Sequence, residues 1–205
     1  MPGILEKQAE LQAQADAIVS ALGLDDLLGA AGNPVRVGSS ALGLMVRRDI
    51  DITVVCERLD PATRRTVAEI AGELMLDRRV GTLRYRNDSG VWNAEPENYP
   101  DGLYLGLTYR TEKDEDWNFD IWFIDEPDRQ PDLRHLKTLL PRLTDKARET
   151  ILIIKTELAA NAPKGGKPAP SALVYEAVLD GEVTTTGELE EWLLRQQKLS
   201  RTSEA

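Results

Sequence analysis

A chain of 205 residues forms one large domain or two small ones and is long enough to bury a real core. Its formal net charge of −10 works against wrapping long nucleic acid, which needs many Lys and Arg contacts to phosphate. A short nucleotide stays compatible, because a bound metal inverts the local charge. One cysteine, Cys56, excludes an internal disulfide and reads as a small buried hydrophobe. No apolar run reaches membrane-spanning length and residues 1–22 lack a signal-peptide core, so the expected location is the cytoplasm.

Ile4, Leu11, Ile18 and Leu22 recur at helical spacing among Gln, Lys and Glu, which predicts an amphipathic N-terminal helix interrupted at Gly23. A short helical turn is expected over 25–31, then a break at Gly32, Asn33 and Pro34. Residues 35–38 form a short strand candidate. Residues 49–56 form a stronger one, rich in β-branched side chains. Asp60 fits a helix N-cap and Pro61 its first turn, with Val67, Ile70, Ala71 and Leu74 on the buried face of a helix running to about Met75. Strands are expected at 80–85, 103–109 and 118–124, with a long loop over 87–101 and a polar hairpin connection over 111–116. Beyond Pro127, Leu136, Leu140, Leu143, Ala147, Ile151, Ile154 and Leu158 carry helix periodicity, with Pro141 as a kink or a new start. Residues 161–170 read as a linker, Ser171 as the cap of a helix, and Leu189, Trp192 and Leu193 as a last helix, with a frayed tail after Leu199. The reading is an α+β fold: a mixed sheet flanked by helices over 1–128, then a helical domain over 129–205.

The stretch V-G-S-S-A-L-G-L-M-V-R-R-D-I-D-I, residues 37–52, carries the chemistry. It leaves a strand, turns at Gly38 and Ser39, and returns as a strand bearing Asp49 and Asp51. Side chains two apart on a strand share a face, so these acids project together while Ile50 and Ile52 enter the core. Two close like charges repel, and a cation between them relieves the cost. Oxygen-only ligation favours Mg²⁺ or Mn²⁺. Asp120, inside the apolar run N-F-D-I-W-F-I, is the third acid, because an unpaired carboxylate in such a strand is costly. If its strand lies beside that of Asp49, the three acids meet.

This pattern resembles the nucleotidyltransferase superfamily related to DNA polymerase β: a Gly-Ser turn, about a dozen residues, Asp-hydrophobic-Asp, then a third acid on a later strand. The likeness covers about residues 35–125, and Gly38-Ser39-Ser40-Ala41-Leu42-Gly43 is similar to the minimal and antibiotic-modifying branches. The resemblance implies that Gly38 and Ser39 bind a triphosphate, that Asp49 and Asp51 hold metal, and that Asp120 holds the catalytic metal and meets the acceptor hydroxyl. Leu42 and Arg48 depart from the residues many members carry there, Arg and Ser respectively.

Other candidates are weighed against plainer roles. Ser40 is a second phosphate donor or a turn residue. Arg47 and Arg48 neutralise a triphosphate or sit in solvent; Arg48 is retained as a nucleotide-binding candidate. Lys155 is a triphosphate ligand or an exposed helix lysine. His135, the only histidine, has no nucleophile partner motif and supports no triad chemistry. Trp92, Tyr99 and Tyr104 form an aromatic wall for acceptor or base, or simple packing; Glu95 and Glu97 are general-base candidates or solvated loop acids.

The expected activity is metal-dependent transfer of a nucleoside monophosphate, ATP being the favoured donor, to the hydroxyl of a small molecule, an antibiotic among the options, with pyrophosphate released. The alternatives are a protein- or RNA-modifying enzyme of toxin type and a non-catalytic nucleotide-binding module. No membrane partner is expected, extended nucleic acid is disfavoured, and a homo-oligomer is allowed for.

Overall fold

The β-branched run D-I-D-I-T-V-V forms the central strand of a five-stranded mixed sheet. The computed structural model describes residues 3–161 and 169–203, the last five of these in backbone only. The strands are β1 (Asn33–Val37), β2 (Asp49–Val55), β3 (Val80–Asp88), β4 (Gly102–Arg110) and β5 (Asp116–Ile124), in the order β1-β2-β5-β4-β3. Only the β2–β5 pair is parallel. A parallel neighbour needs a long crossover. The chain supplies it with α4 (Pro61–Leu76), β3 and β4 before β5 returns to the centre.

Strand alternation sends Ile50, Ile52 and Val54 of β2, Leu103, Leu105, Leu107 and Tyr109 of β4, and Trp117, Phe119, Ile121 and Phe123 of β5 to one face. These join one apolar core with Ala15, Ile18 and Val19 of α1 (Ile4–Ala21), Leu24 and Leu28 of α2 (Leu24–Gly29), and Val67, Ile70 and Leu74 of α4. Asp60 caps α4 as expected, its carboxylate accepting from the Ala62 and Thr63 N–H groups at 2.9 Å, with Pro61 in the first turn. Cys56 is buried, and burial pushes its thiol up to about 11.

The opposite face is partly covered. α3 (Gly38–Leu42) packs on β1 and β2, and α5 (Pro131–Leu139) packs on α3 and β1. Toward β5, β4 and β3 this face carries Asn118, Asp120, Trp122, Tyr104, Gly106, Thr108, Arg84 and Arg86.

Several local expectations are corrected. The segment after β1 is a turn of helix, not an open Gly-Ser turn: Gly38 opens it at φ +62° and Gly43 closes it at φ +68°, donating its N–H to the Ser39 carbonyl. β3 runs three residues further than 80–85, because Arg86, Asn87 and Asp88 pair with Tyr104, Leu103 and Gly102. The following loop holds a 3₁₀ turn at Gly90–Trp92. Pro141 lies in a 3₁₀ turn, Leu140–Arg142, and α6 starts at Asp145. Ser171 does not cap α7 (Ser171–Asp180): it is the first helical residue, and Pro170 stands at the cap without a side-chain bond. Most of the expected linker, 162–168, and the end of the expected frayed tail, 204–205, lie outside the described residues.

Two compact units are present, Glu10–Leu140 and Met1–Ala9 with Pro141–Ala205. In the second, α6 (Asp145–Asn161), α7 and α8 (Thr186–Ser203) pack on one another through Ile151, Leu152, Ile154, Val174, Ala177, Leu189 and Trp192. Arg142 links to this bundle through the Leu179 carbonyl at 3.1 Å and the Asp180 carboxylate. Among the described residues no helix is long and apolar enough to cross a membrane.

Candidate active site

Parallel pairing of β2 with β5 sets Asp51 directly beside Asp120 and Asp49 beside Asn118. Asp49, Asp51 and Asp120 each offer a carboxylate oxygen, and these oxygens lie within 4.8 Å of one another in a half-buried position. The cluster expected from the sequence is thus assembled by the one parallel register in the sheet. Three convergent oxygens suit a hard divalent cation such as Mg²⁺ or Mn²⁺, which accepts carboxylates and keeps further positions for substrate oxygens.

Gly38 abuts this cluster. Val37 is the register partner of Asp51, so the next residue starts α3 against that acid. A Cβ at Gly38 would sit 2.1 Å from the Asp51 Oδ2, and the left-handed φ adds a second reason for glycine. The Asp51 carboxylate thus occupies the space that a side chain at position 38 would need.

The other nucleotide candidates are placed as follows. Ser39 is half-buried in α3, its carbonyl accepting from Leu44 at 2.9 Å. Ser40 is buried, and its hydroxyl donates to the Val37 carbonyl at 3.2 Å. Arg48 ends the loop before Asp49; its guanidinium pairs with Glu115 and its carbonyl accepts from Asn118 at 3.0 Å. Lys155 belongs to the helical unit. It is not the exposed helix lysine of the plainer reading: it is 6% exposed, donates to the Tyr175 hydroxyl at 3.0 Å and lies 5.2 Å from that ring's centre.

Tyr104 is the residue that sequence reasoning left as mere wall. Its hydroxyl donates to Oδ1 of Asp120. The link passes over Gly106, the register partner of Asp120, where a Cβ would meet the tyrosine oxygen at 2.3 Å. Burial and the neighbouring Asp120 carboxylate push the Tyr104 phenol up to about 12, so it stays protonated and remains a donor at neutral pH. The detectable signal was a lone glycine inside a strand, which marks a close approach. Tyr104 packs on Trp122, centroids 5.1 Å apart, and the Arg86 guanidinium lies 5.0 Å from the Tyr104 ring centre and 5.2 Å from the Trp122 ring. Asp88 holds Arg86 there at 2.7 Å. Trp92, Tyr99, Glu95 and Glu97 are exposed, and His135 is half-buried on α5.

No family model matches the chain, and no curated protein is similar to it in sequence. Solved structures do superpose. A structure of the Cid1 poly(U) polymerase matches with TM-score 0.53 at 17% identity, covering 86% of this chain and 53% of its own. Cid1 in complex with the UTP analogue UMPNPP gives 0.54 at 14% identity, covering 85% and 53%. A Cid1 mutant bound to MgATP gives 0.56 at 16% identity, covering 83% and 50%. This chain therefore spans about half the length of those proteins. Likeness at this identity speaks to the fold, and the sheet order, the parallel acid-bearing strands and the superposition agree: the chain has the nucleotidyltransferase fold of the DNA polymerase β type.

Proposed function

We propose that this protein transfers a nucleoside monophosphate from a nucleoside triphosphate to an acceptor hydroxyl and releases pyrophosphate. The observation that carries the reading is the convergence of Asp49, Asp51 and Asp120, whose oxygens come within 4.8 Å on a sheet face not filled by core packing. Asp49, Asp51 and Asp120 are the proposed holders of Mg²⁺ or Mn²⁺. Bound there, such an ion supplies charge neutralisation for the triphosphate and for the oxygens that gain charge during transfer.

The chain's own residues have distinct proposed tasks. Gly38 and Ser39 present backbone close to Asp51, and Ser39 adds a hydroxyl to the triphosphate. Ser40 and Arg48 are weaker nucleotide ligands in this reading, since the serine hydroxyl and the guanidinium already have protein partners. Asp120 accepts the Tyr104 hydroxyl on Oδ1 and also offers a carboxylate oxygen to the acid cluster. The acceptor oxygen attacks the α-phosphorus, the bond from that phosphorus to the bridging oxygen breaks, and pyrophosphate leaves; Asp120 is the proposed first recipient of the hydroxyl proton. The transfer chemistry is assigned to residues 1–128 and a supporting role to the helical residues 129–205. A triphosphate role for Lys155 is a separate proposal, tested by Lys155→Met.

A small-molecule acceptor is the favoured substrate class, in keeping with the net charge of −10. A second reading, an RNA end as acceptor, draws on the poly(U) polymerase activity named for the superposing Cid1 structures. The test is calorimetric titration of ATP first, then GTP, CTP and UTP, with Mg²⁺ and with chelator, into the parent protein and into Asp49→Asn and Asp51→Asn. Metal-dependent binding that both variants lose by a hundredfold or more supports the site, and unchanged affinity in the variants sinks it. Binding without pyrophosphate release on adding acceptors points to a nucleotide-binding module.

A further inference from the structure

On the face of the sheet that carries the acids, side chains stand in rows across the strands. One row runs Arg84 of β3, Gly106 of β4, Asp120 of β5, Asp51 of β2 and Val37 of β1. The neighbouring row holds Arg86, Tyr104 and Trp122. Tyr104 does not stay in its own row. Its hydroxyl donates to Oδ1 of Asp120, its diagonal neighbour between β4 and β5. Diagonal partners stand about 7–8 Å apart, a span that a long or aromatic side chain crosses. Here the span passes over Gly106, which has no side chain to obstruct it. A Cβ at that position would collide with the phenol oxygen and lie 3.0 Å from Cε1 of the ring. An empty position in the acid row is what admits the phenol.

The ring is clamped at its sides. Trp122 packs on it with centroids 5.1 Å apart. The Arg86 guanidinium lies 5.0 Å from the Tyr104 ring centre and 5.2 Å from the Trp122 ring, so one cation serves both rings. Asp88 accepts from Nε of Arg86 on both carboxylate oxygens at 2.8 Å and pairs with Nη2 at 2.7 Å. Strands β3, β4 and β5 thus each contribute to holding one phenol against one carboxylate. Packing alone needs no hydroxyl at position 104, since a phenylalanine would fill the same ring space.

Orientation is what a metal site needs from its carboxylates. A free aspartate side chain turns about two torsions, and an ion that binds it must stop that motion. A phenol bonded to Oδ1 restricts the carboxylate before any ion arrives. Cations respond differently to such a restriction. Small octahedral ions demand near-ideal geometry and gain from ligands already in place. Ca²⁺ takes about six to eight oxygens in flexible geometry, often through bidentate carboxylates, and gains from ligands that can still turn.

We propose that Tyr104 is a positioning residue for the third acid. Clamped by Arg86 and Trp122 over the bare Gly106, its phenol fixes the Asp120 carboxylate and tunes the cluster to Mg²⁺ and Mn²⁺ against Ca²⁺. The assignment rests on the nucleotidyl-transfer reading for one thing only, a divalent cation at Asp49, Asp51 and Asp120.

The test uses the metals alone, without nucleotide or acceptor. Mn²⁺ is titrated into metal-free protein and followed by the electron paramagnetic resonance signal of the free ion, then displaced with Ca²⁺. The proteins are the parent, Tyr104→Phe, Gly106→Ala and Asp51→Asn. Tyr104→Phe is expected to bind Mn²⁺ about tenfold more weakly or worse, and to release it at a correspondingly smaller excess of Ca²⁺. Gly106→Ala is expected to reproduce both changes with the phenol still in the chain, because its Cβ takes the place of the hydroxyl. Parental Mn²⁺ affinity in Tyr104→Phe overturns the proposal, as does parental behaviour of Gly106→Ala. Equal weakening of Mn²⁺ and Ca²⁺ also overturns it, since a phenol that merely supported the fold would lower both together. In all of these outcomes the acid cluster stands as a metal site. Absence of Mn²⁺ binding by the parent, or full retention of it by Asp51→Asn, removes the cluster's metal and the role of Tyr104 with it.

Discussion

The two faces of the sheet are made by the same strands and do opposite things. On one, Ile52, Ile121 and Leu105 stand in register, all at or below 2% exposure. On the other, one residue away, Asp51, Asp120 and Gly106 stand in register, half-buried and polar or bare. The first face stabilises the fold by removing apolar surface from water. The second crowds three carboxylates and stays partly open, which costs stability. One backbone thus holds the acids rigid through the packing of their alternate neighbours.

That contrast can be broken from either side. Ile121→Ala, on the core face behind Asp120, is expected to have the largest effect on folding, a loss of about 2–5 kcal/mol in urea unfolding. A loss below about 1 kcal/mol would mean that the core behind the acids is not close-packed. Gly38→Ala, at the edge of the site, combines a left-handed φ, costing about 1–2 kcal/mol, with a Cβ directed at Asp51. It is expected to unfold somewhat earlier and to lose triphosphate binding through displacement of Asp51; retention of parental affinity would disconnect Gly38 from the site. Asp51→Asn, one position from core residue Ile52, is expected to leave the metal-free urea midpoint equal to the parent's or slightly higher, because like-charge repulsion is relieved. A clear drop in midpoint would make Asp51 a structural acid.

The smallest effect concerns Cys56, beyond the end of β2. Its folded-state thiol titrates near 11, above the ordinary 9.0. The folded state therefore holds the proton more tightly. The corresponding stability is fully present below about pH 9 and is lost as pH rises toward 11. Iodoacetamide at pH 8 is expected to label Cys56 in denaturant and to leave the native thiol unmodified over the same interval. Rapid native labelling would show that the strand end opens.

Much of the fold was legible before any tertiary information. Alternation in 49–55 and 118–124 separated core side chains from acids, and Asp60-Pro61 marked the start of α4. Helical periodicity announced α6, though not that Lys155 would lie inside its bundle. A lysine there reads as solvent-facing until Tyr175, twenty positions later, supplies a hydroxyl and a ring. Arg48 likewise reads as free until Glu115, sixty-seven positions away, closes on it. Gly38-Ser39 reads as an open turn because propensity says little about a five-residue helix bounded by glycines at positive φ.

The sequence by itself determined which residues carry the carboxylates of the cluster, which face of each strand they occupy, and which alternate residues anchor them. These properties follow from side-chain chemistry and the two-residue period of a strand. Tertiary structure alone decided that β5 lies parallel to β2 in the register pairing Asp51 with Asp120, and that Tyr104 crosses Gly106 to hold that acid. It also decided that segment 89–101 is fastened by hydrogen bonds with Trp92 and Tyr99 left exposed. Register and distant hydrogen bonds depend on how the whole core packs, and no local stretch of the chain contains that information.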